Sequence, residues 1–198
     1  MVTSALPADG KTFTTLNLAL SIARERDVSV LLVDADFPKA HIGRALDVDG
    51  EPGLLDAVAD ESSDVESFVL RTNVQGLELL PGGQSAVDAA ELVSSARMGA
   101  VMTRLLQYNP RRIVLFDAAP VLVTADARAL LQVPGQVLLV ARAGHTPQRA
   151  LLEAIGQIDK KKLQGLVLND AYITHKSSYF NGYGYGARVR SPEGQSVD

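Results

Sequence analysis

The sequence predicts an α/β fold: a doubly wound, mainly parallel sheet with helices on both faces. Three observations point there. Short runs of β-branched residues and leucine alternate with segments of helical spacing along most of the chain, the pattern of a parallel sheet covered on both sides. The chain opens on a strand–loop–helix sequence whose loop, Ser4-Ala-Leu-Pro-Ala-Asp-Gly-Lys-Thr12, reads as a phosphate-binding loop. Two later strands end in carboxylates, on the sheet edge where open α/β folds bind ligands.

The elements follow in order. Met1 to Ser4 is a β stretch, short against a typical ~5–6 residues. Residues 11–26 carry Leu16, Leu18, Ala19, Ile22 and Ala23 at helical spacing and end in charge. Val28 to Val33 is a nearly continuous apolar run, a strand buried on both faces. Residues 37–63 read as loop and short helix, with one or two turns over 53–58. Leu77 to Leu80 is a strand closed by Pro81-Gly82-Gly83. A helix is expected from about Asp88 to Gln107, a strand over Ile113 to Phe116, a helix over 124–132 and a strand over Gln136 to Val140. The helix from Pro147 to Ile158 starts with a proline in its first turn, where a missing N–H costs little. Gly165 to Leu168 is the last strand. Residues 1–170 thus form one domain. From 171 to 198 the chain turns polar, Gly-rich and Tyr-rich without periodicity and reads as a mobile tail. Its aromatic content is unusual for a disordered segment: Tyr179, Tyr183 and Tyr185 stand among glycines, phenols offered to something.

Composition narrows the function. With 198 residues, 46% hydrophobic and 21% charged, the chain has enough apolar material for a substantial core. A net charge of −4 argues against a protein built to hold nucleic acid. The basic run Lys160-Lys161-Lys162 reads first as cations at a helix C-terminus. The absence of cysteine excludes disulfides and thiolate chemistry. No apolar run spans a bilayer and no signal-peptide pattern opens the chain, so a cytoplasmic protein is expected, reaching a membrane only through a partner.

The chemistry gathers at the strand ends. In a phosphate loop the backbone N–H groups and the helix N-terminus face the anion. Lys11 then reaches the outer phosphates and Thr12 ligates Mg²⁺. Ala5 stands where the general pattern has glycine. The strand ending at Val33 runs into Asp34-Ala35-Asp36, whose i, i+2 spacing puts both carboxylates on one side of extended backbone. The strand ending at Phe116 runs into Asp117. Each Asp alone is equally a helix cap or turn former. Three of them around a G-K-T loop make a Mg²⁺–nucleotide site. Asn169, at another strand end, has two open readings: contact to a nucleotide base, or termination of the strand.

The loop S-A-L-P-A-D-G-K-T, the segments L-L-V-D-A-D-F-P-K and I-V-L-F-D-A-A-P-V-L, and the tail Y-F-N-G-Y-G-Y-G resemble, in the same order, the bacterial tyrosine kinases of capsule and exopolysaccharide loci. Val137 to Thr146 and Gly165 to Asp170 look like that family too, so the resemblance covers almost the whole chain. It implies a P-loop NTPase fold and an ATP- and Mg²⁺-dependent autokinase that phosphorylates C-terminal tyrosines in trans. Carried over by motif, Ala8, Asp9, Gly10, Lys11, Thr12 and Phe13, with Asn169, would hold the nucleotide. Thr12, Asp34 and Asp117 would be linked to the metal. Lys11, Asp34 and Asp36 would be catalytic, Asp34 taking the phenol proton with Asp36 assisting. Tyr179, Tyr183 and Tyr185 would be the acceptors; Tyr108 reads as packing, and Tyr172 as too near the sheet to leave it. The implied partners are a transmembrane polysaccharide chain-length regulator as activator, further copies of the chain, and a tyrosine phosphatase. The place implied is the inner face of the membrane.

Three departures from the family pattern qualify this. Ala8-Asp9 replaces Gly-Glu, which puts alanine where the backbone favours glycine and questions turnover more than binding. Phe37-Pro38 replaces a Leu-Arg pair. The family's oligomerisation helix lies ahead of the loop, so the start at Met1 reads as a trimmed N-terminus. Two alternatives stand beside the kinase reading. One is an ATPase switch of the partition or septum-site kind, against which count the lack of an early loop lysine and of a C-terminal membrane helix. The other is a catalytically weak nucleotide-binding scaffold.

Overall fold

The computed structural model describes residues 1–84 and 88–171. The predicted acceptors Tyr179, Tyr183 and Tyr185, and Tyr172, lie outside the described residues.

Among the described residues seven strands form one sheet: β1 (Val2–Ser4), β2 (Ser29–Ala35), β3 (Leu70–Arg71), β4 (Leu77–Leu80), β5 (Arg112–Ala118), β6 (Val137–Arg142) and β7 (Leu163–Asn169). Their order is β3-β4-β2-β5-β1-β6-β7. Every pairing is parallel except β3 with β4, as the mainly parallel prediction requires. The helices are α1 (Lys11–Ile22), α2 (His41–Ala45), α3 (Leu54–Ala59), α4 (Ala89–Ser94), α5 (Ala96–Tyr108), α6 (Ala125–Leu130) and α7 (Gln148–Gln157), with a 3₁₀ turn over Val65–Phe68.

The side chains of β2 show why both faces are covered. Leu31, Val33 and Ala35 join one apolar cluster with residues of α3 to α7, while Val30 and Leu32 join a second with Leu16, Leu18, Ala19 and Ile22 of α1 and Ile42 of α2. A period of two along a strand sends alternate side chains to opposite faces, so a continuous apolar run is what two covered faces demand.

The structure differs from expectation in detail. The helix expected over 88–107 is two, because Ser95 is extended (φ −74°, ψ 156°) and caps α5 through the Met98 N–H. β3 is a two-residue antiparallel edge. Pro147 sits one position earlier than expected, as the N-cap of α7. Arg112 opens β5 as a buried cation, paired with Glu66 and Glu78 and lying 5.3 Å from the centre of the Tyr108 ring. Tyr108 is thus a platform for that arginine on an otherwise exposed helix end.

Candidate nucleotide site

The loop between β1 and α1 lies at the carboxyl end of the sheet, with β1 between β5 and β6. That placement brings the ends of β2, β5, β6 and β7 around it. Gly10 caps α1 with φ 96°, a left-handed backbone open to glycine. A methyl there would overlap the side-chain amide of Asn169, so conformation and close approach both require glycine. Ala8 also has a positive φ, 67°. The expectation that alanine strains the loop at this position holds: a left-handed non-glycine residue costs about 1–2 kcal/mol.

Lys11, Thr12 and the three predicted acids come together. Lys11 Nζ lies 2.6 Å from Asp36 Oδ2 and 3.9 Å from Asp117 Oδ2, and donates to Thr12 Oγ1 at 3.1 Å. The Lys11–Asp36 contact is an ion pair by distance, although the aspartate oxygen lacks a partner with hydrogen-bond alignment. Thr12 Oγ1 donates to Asp117 Oδ2 at 2.7 Å. Asp34 and Asp117 are register neighbours on β2 and β5. Asp34 Oδ2 accepts the Gly43 N–H at 2.8 Å, so α2 holds this carboxylate while Lys11 holds Asp36.

Electrostatics follow from burial. Desolvation raises the pKa of Asp117, against the opposing pull of Lys11 and of the Thr12 and Thr15 hydroxyls, and the charge of Asp34 adds to the rise. Desolvation likewise raises Asp34, against the Gly43 and Asp36 N–H groups, with the Asp36 charge adding to it. Three buried carboxylates thus share one ammonium. That negative excess fits a divalent cation. Among the described residues no three His, Cys, Asp or Glu side chains form a ready metal cluster. Mg²⁺ does not ask for one, since it takes one or two carboxylates with phosphate oxygens and waters.

Two predicted nucleotide contacts have other partners here. The Asp9 side chain is fully buried and turned into the protein, where it accepts from Leu6 N and Thr146 Oγ1. Asn169 ends β7 and its side-chain amide donates to the Asp9 carbonyl at 3.0 Å, a contact that braces the loop and stands beside the two readings of this residue. Phe13 stands exposed on the first turn of α1.

Sequence reasoning missed Thr15 and Thr146. Thr15 donates to Asp117 Oδ1 at 3.1 Å. Its signal was available: it sits i+3 from Thr12, on the same helical face. Thr146 offered no local signal, because its contact spans 137 positions. His41, at the start of α2, puts Nδ1 3.8 Å from Asp36 Oδ2.

No helix among the described residues is long and apolar enough to cross a membrane. No family model matches the chain. Individual relatives do. EpsB of Ralstonia solanacearum is 33% identical over 209 residues, all of this chain and 27% of that protein. The tyrosine-protein kinase YwqD of Bacillus subtilis is 33% identical over 190 residues, 95% of this chain and 77% of YwqD. The crystal structure of the VpsO kinase domain superposes with a TM-score of 0.76 at 30% identity, covering 87% of this chain and 84% of that one. The chain spans about a quarter of the EpsB relatives it matches. A ParA-family ATPase and a septum-site protein, at 18% and 22% identity, share the fold alone. A loop built to cradle phosphate, ringed by Asp34, Asp36 and Asp117, and a third of its residues in common with YwqD over nearly its whole length make this chain a member of the bacterial tyrosine-protein kinase family.

Proposed function

We propose that this chain is an ATP- and Mg²⁺-dependent protein-tyrosine autokinase that phosphorylates its C-terminal tyrosines in trans. The observation that carries the reading is the convergence of Lys11, Thr12, Asp34, Asp36 and Asp117 within one buried rim. Phosphoryl transfer asks of a protein mainly positioning and charge neutralisation, and these residues are suited to both. The N–H groups of residues 8 to 13 receive the phosphates. Lys11 would leave Asp36 for the outer phosphate oxygens, which would free the Asp36 carboxylate. Thr12, Asp117 and Asp34 would hold Mg²⁺, which would supply neutralisation of the phosphate charge. In that transfer the phenol oxygen would bond to the γ-phosphorus as the bond to the bridging oxygen breaks and ADP leaves, and Asp34, assisted by the freed Asp36, would accept the phenol proton, which at a pKa near ~10 is still attached at neutral pH. The acceptors are Tyr179, Tyr183 and Tyr185.

The setting we propose is exopolysaccharide or capsule polymerisation and export at the inner face of the membrane. The chain works there as a homo-oligomer, activated by a transmembrane chain-length regulator and reset by a tyrosine phosphatase. A structural relative, the chimerical protein CapA2B2, is consistent with a partner joined to a domain of this fold. The left-handed Ala8 favours a second reading, a chain that binds nucleotide and turns it over slowly.

Mass spectrometry after incubation with Mg²⁺·ATP tests the proposal. The expected outcome is phosphate on the tail tyrosines of the wild type and none on Lys11→Met. Bound ATP with unmodified tyrosines would leave the slow-turnover reading.

A further inference from the structure

The inward side of the loop is tied to two distant strands, β6 and β7. Asp9 is buried with no exposed surface. One of its carboxylate oxygens accepts the Leu6 N–H at 3.0 Å, and the other accepts the Thr146 hydroxyl at 2.6 Å. The Thr146 oxygen in turn accepts the Arg142 N–H at 2.7 Å, at the end of β6. From β7, the Asn169 amide donates to the Asp9 carbonyl at 3.0 Å, and its own carbonyl accepts the Ala143 N–H at 2.9 Å. The guanidinium of Arg142 meets Asp170 Oδ2 at 3.0 and 2.9 Å and closes the two strand ends over each other.

Between the tied residues Leu6 and Asp9 stands Ala8, at φ 67°. A non-glycine residue keeps such a backbone only where its surroundings over-determine it. The Thr146–Asp9 contact is a hydroxyl donating to a buried carboxylate, one of the stronger kinds of protein hydrogen bond. Its loss would leave a buried carboxylate oxygen unpaired, at a cost.

We propose that Thr146 is a positioning residue for the phosphate loop. Through Asp9 it holds residues 6–10 in their anion-binding shape, and this hold is what lets alanine occupy a position whose backbone favours glycine. The inference rests on the nucleotide reading of the loop. Thr146 touches no nucleotide; it sets the fraction of chains whose loop is ready to receive one. Ligand affinity falls in proportion when that fraction falls.

Calorimetric titration with Mg²⁺·ATP tests it in five proteins: wild type, Thr146→Val, Thr146→Ser, Ala8→Gly, and Ala8→Gly with Thr146→Val. Valine keeps the shape and removes the hydroxyl, and the expected loss of affinity is about tenfold. Serine restores the donor and most of the affinity. With Ala8→Gly the loop takes its left-handed turn unaided, so Thr146→Val then costs less than about threefold. A merely structural threonine would cost the same in both backgrounds, and that result overturns the proposal. So does wild-type affinity in Thr146→Val. Hydrogen exchange without ligand reads the tie independently of ATP, with the Leu6 amide exchanging faster in Thr146→Val and at the wild-type rate in Thr146→Ser. Unchanged exchange in the valine variant defeats the tie, whereas faster exchange with no ATP binding in the wild type defeats the nucleotide reading. Should Thr146→Val not fold, Asp9→Asn carries the same comparisons with a weaker acceptor.

Discussion

Lys11 and Asp36 meet at 2.6 Å with both side chains almost wholly buried, so a phosphate entering the loop has to take the ammonium from a carboxylate. The ion pair keeps a buried lysine compensated while no anion is present, and its release would leave a carboxylate beside the proposed site of transfer. The other two acids make the site pH-sensitive. Burial raises Asp34 and Asp117 above the ordinary carboxylate range near ~4. The folded state therefore binds more protons than the unfolded state between that range and the raised values. The stability of the ligand-free chain accordingly falls as pH rises through this window. Mg²⁺·ATP favours the ionised carboxylates, so its stabilisation should grow over the same window. Thermal unfolding with and without Mg²⁺·ATP from pH 5 to 8 checks this. The ligand-induced shift in midpoint should be smallest at the acid end, and Asp34→Asn should flatten its slope. The acids could be read from sequence because each follows an unmistakable strand. Thr146 could not, because nothing local marks a threonine whose partner arrives from 137 positions away.

At the scale of elements, Arg112 ties together β4, β5, α5 and the 3₁₀ turn. Its guanidinium, 1% exposed, pairs with Glu66 and Glu78 and donates to the Leu105 carbonyl. Burial acts to lower its pKa, but the two glutamates outweigh burial and raise it, so it stays charged. Removing one partner of a buried pair strands the other. Arg112→Met should therefore destabilise the fold by about 3 kcal/mol, measured by urea unfolding, with nucleotide affinity unchanged because the arginine opens β5 at the end opposite the loop. The strands of this sheet were legible for a simple reason: Val28 to Val33 and Gln136 to Val140 are apolar on both faces. The divided helix was not. Residues 89–108 keep helical spacing across the break, and only the extended backbone of Ser95 interrupts them. β3 escaped notice because two residues carry no period.

At the scale of the whole molecule, the proposed transfer in trans makes a kinetic claim. Mixed with wild type, the Lys11→Met chain should become phosphorylated on its tail although it cannot act itself, at a rate that rises with the concentration of the active chain. Quantitative mass spectrometry of the two chains, distinguished by isotope labelling, checks this. A rate of wild-type modification independent of concentration would argue for transfer within one chain. The fold class was legible in full at this scale, since alternation of strand and helix is a property of the entire sequence. The strand order was not, because it depends on which neighbours each strand meets in space.

That order has a consequence for how the protein comes into being. β1, only three residues long, lies between β5 and β6, which follow it by more than a hundred positions. The strand that leads into the phosphate loop thus stays without its neighbours until those later segments exist. Such long-range parallel pairing is slow to form, and here the loop's braces from β6 and β7 come later still. The proposed competence to bind nucleotide would therefore come late in folding, and nucleotide capture by a growing or refolding chain would report the insertion of β1 into the middle of the sheet.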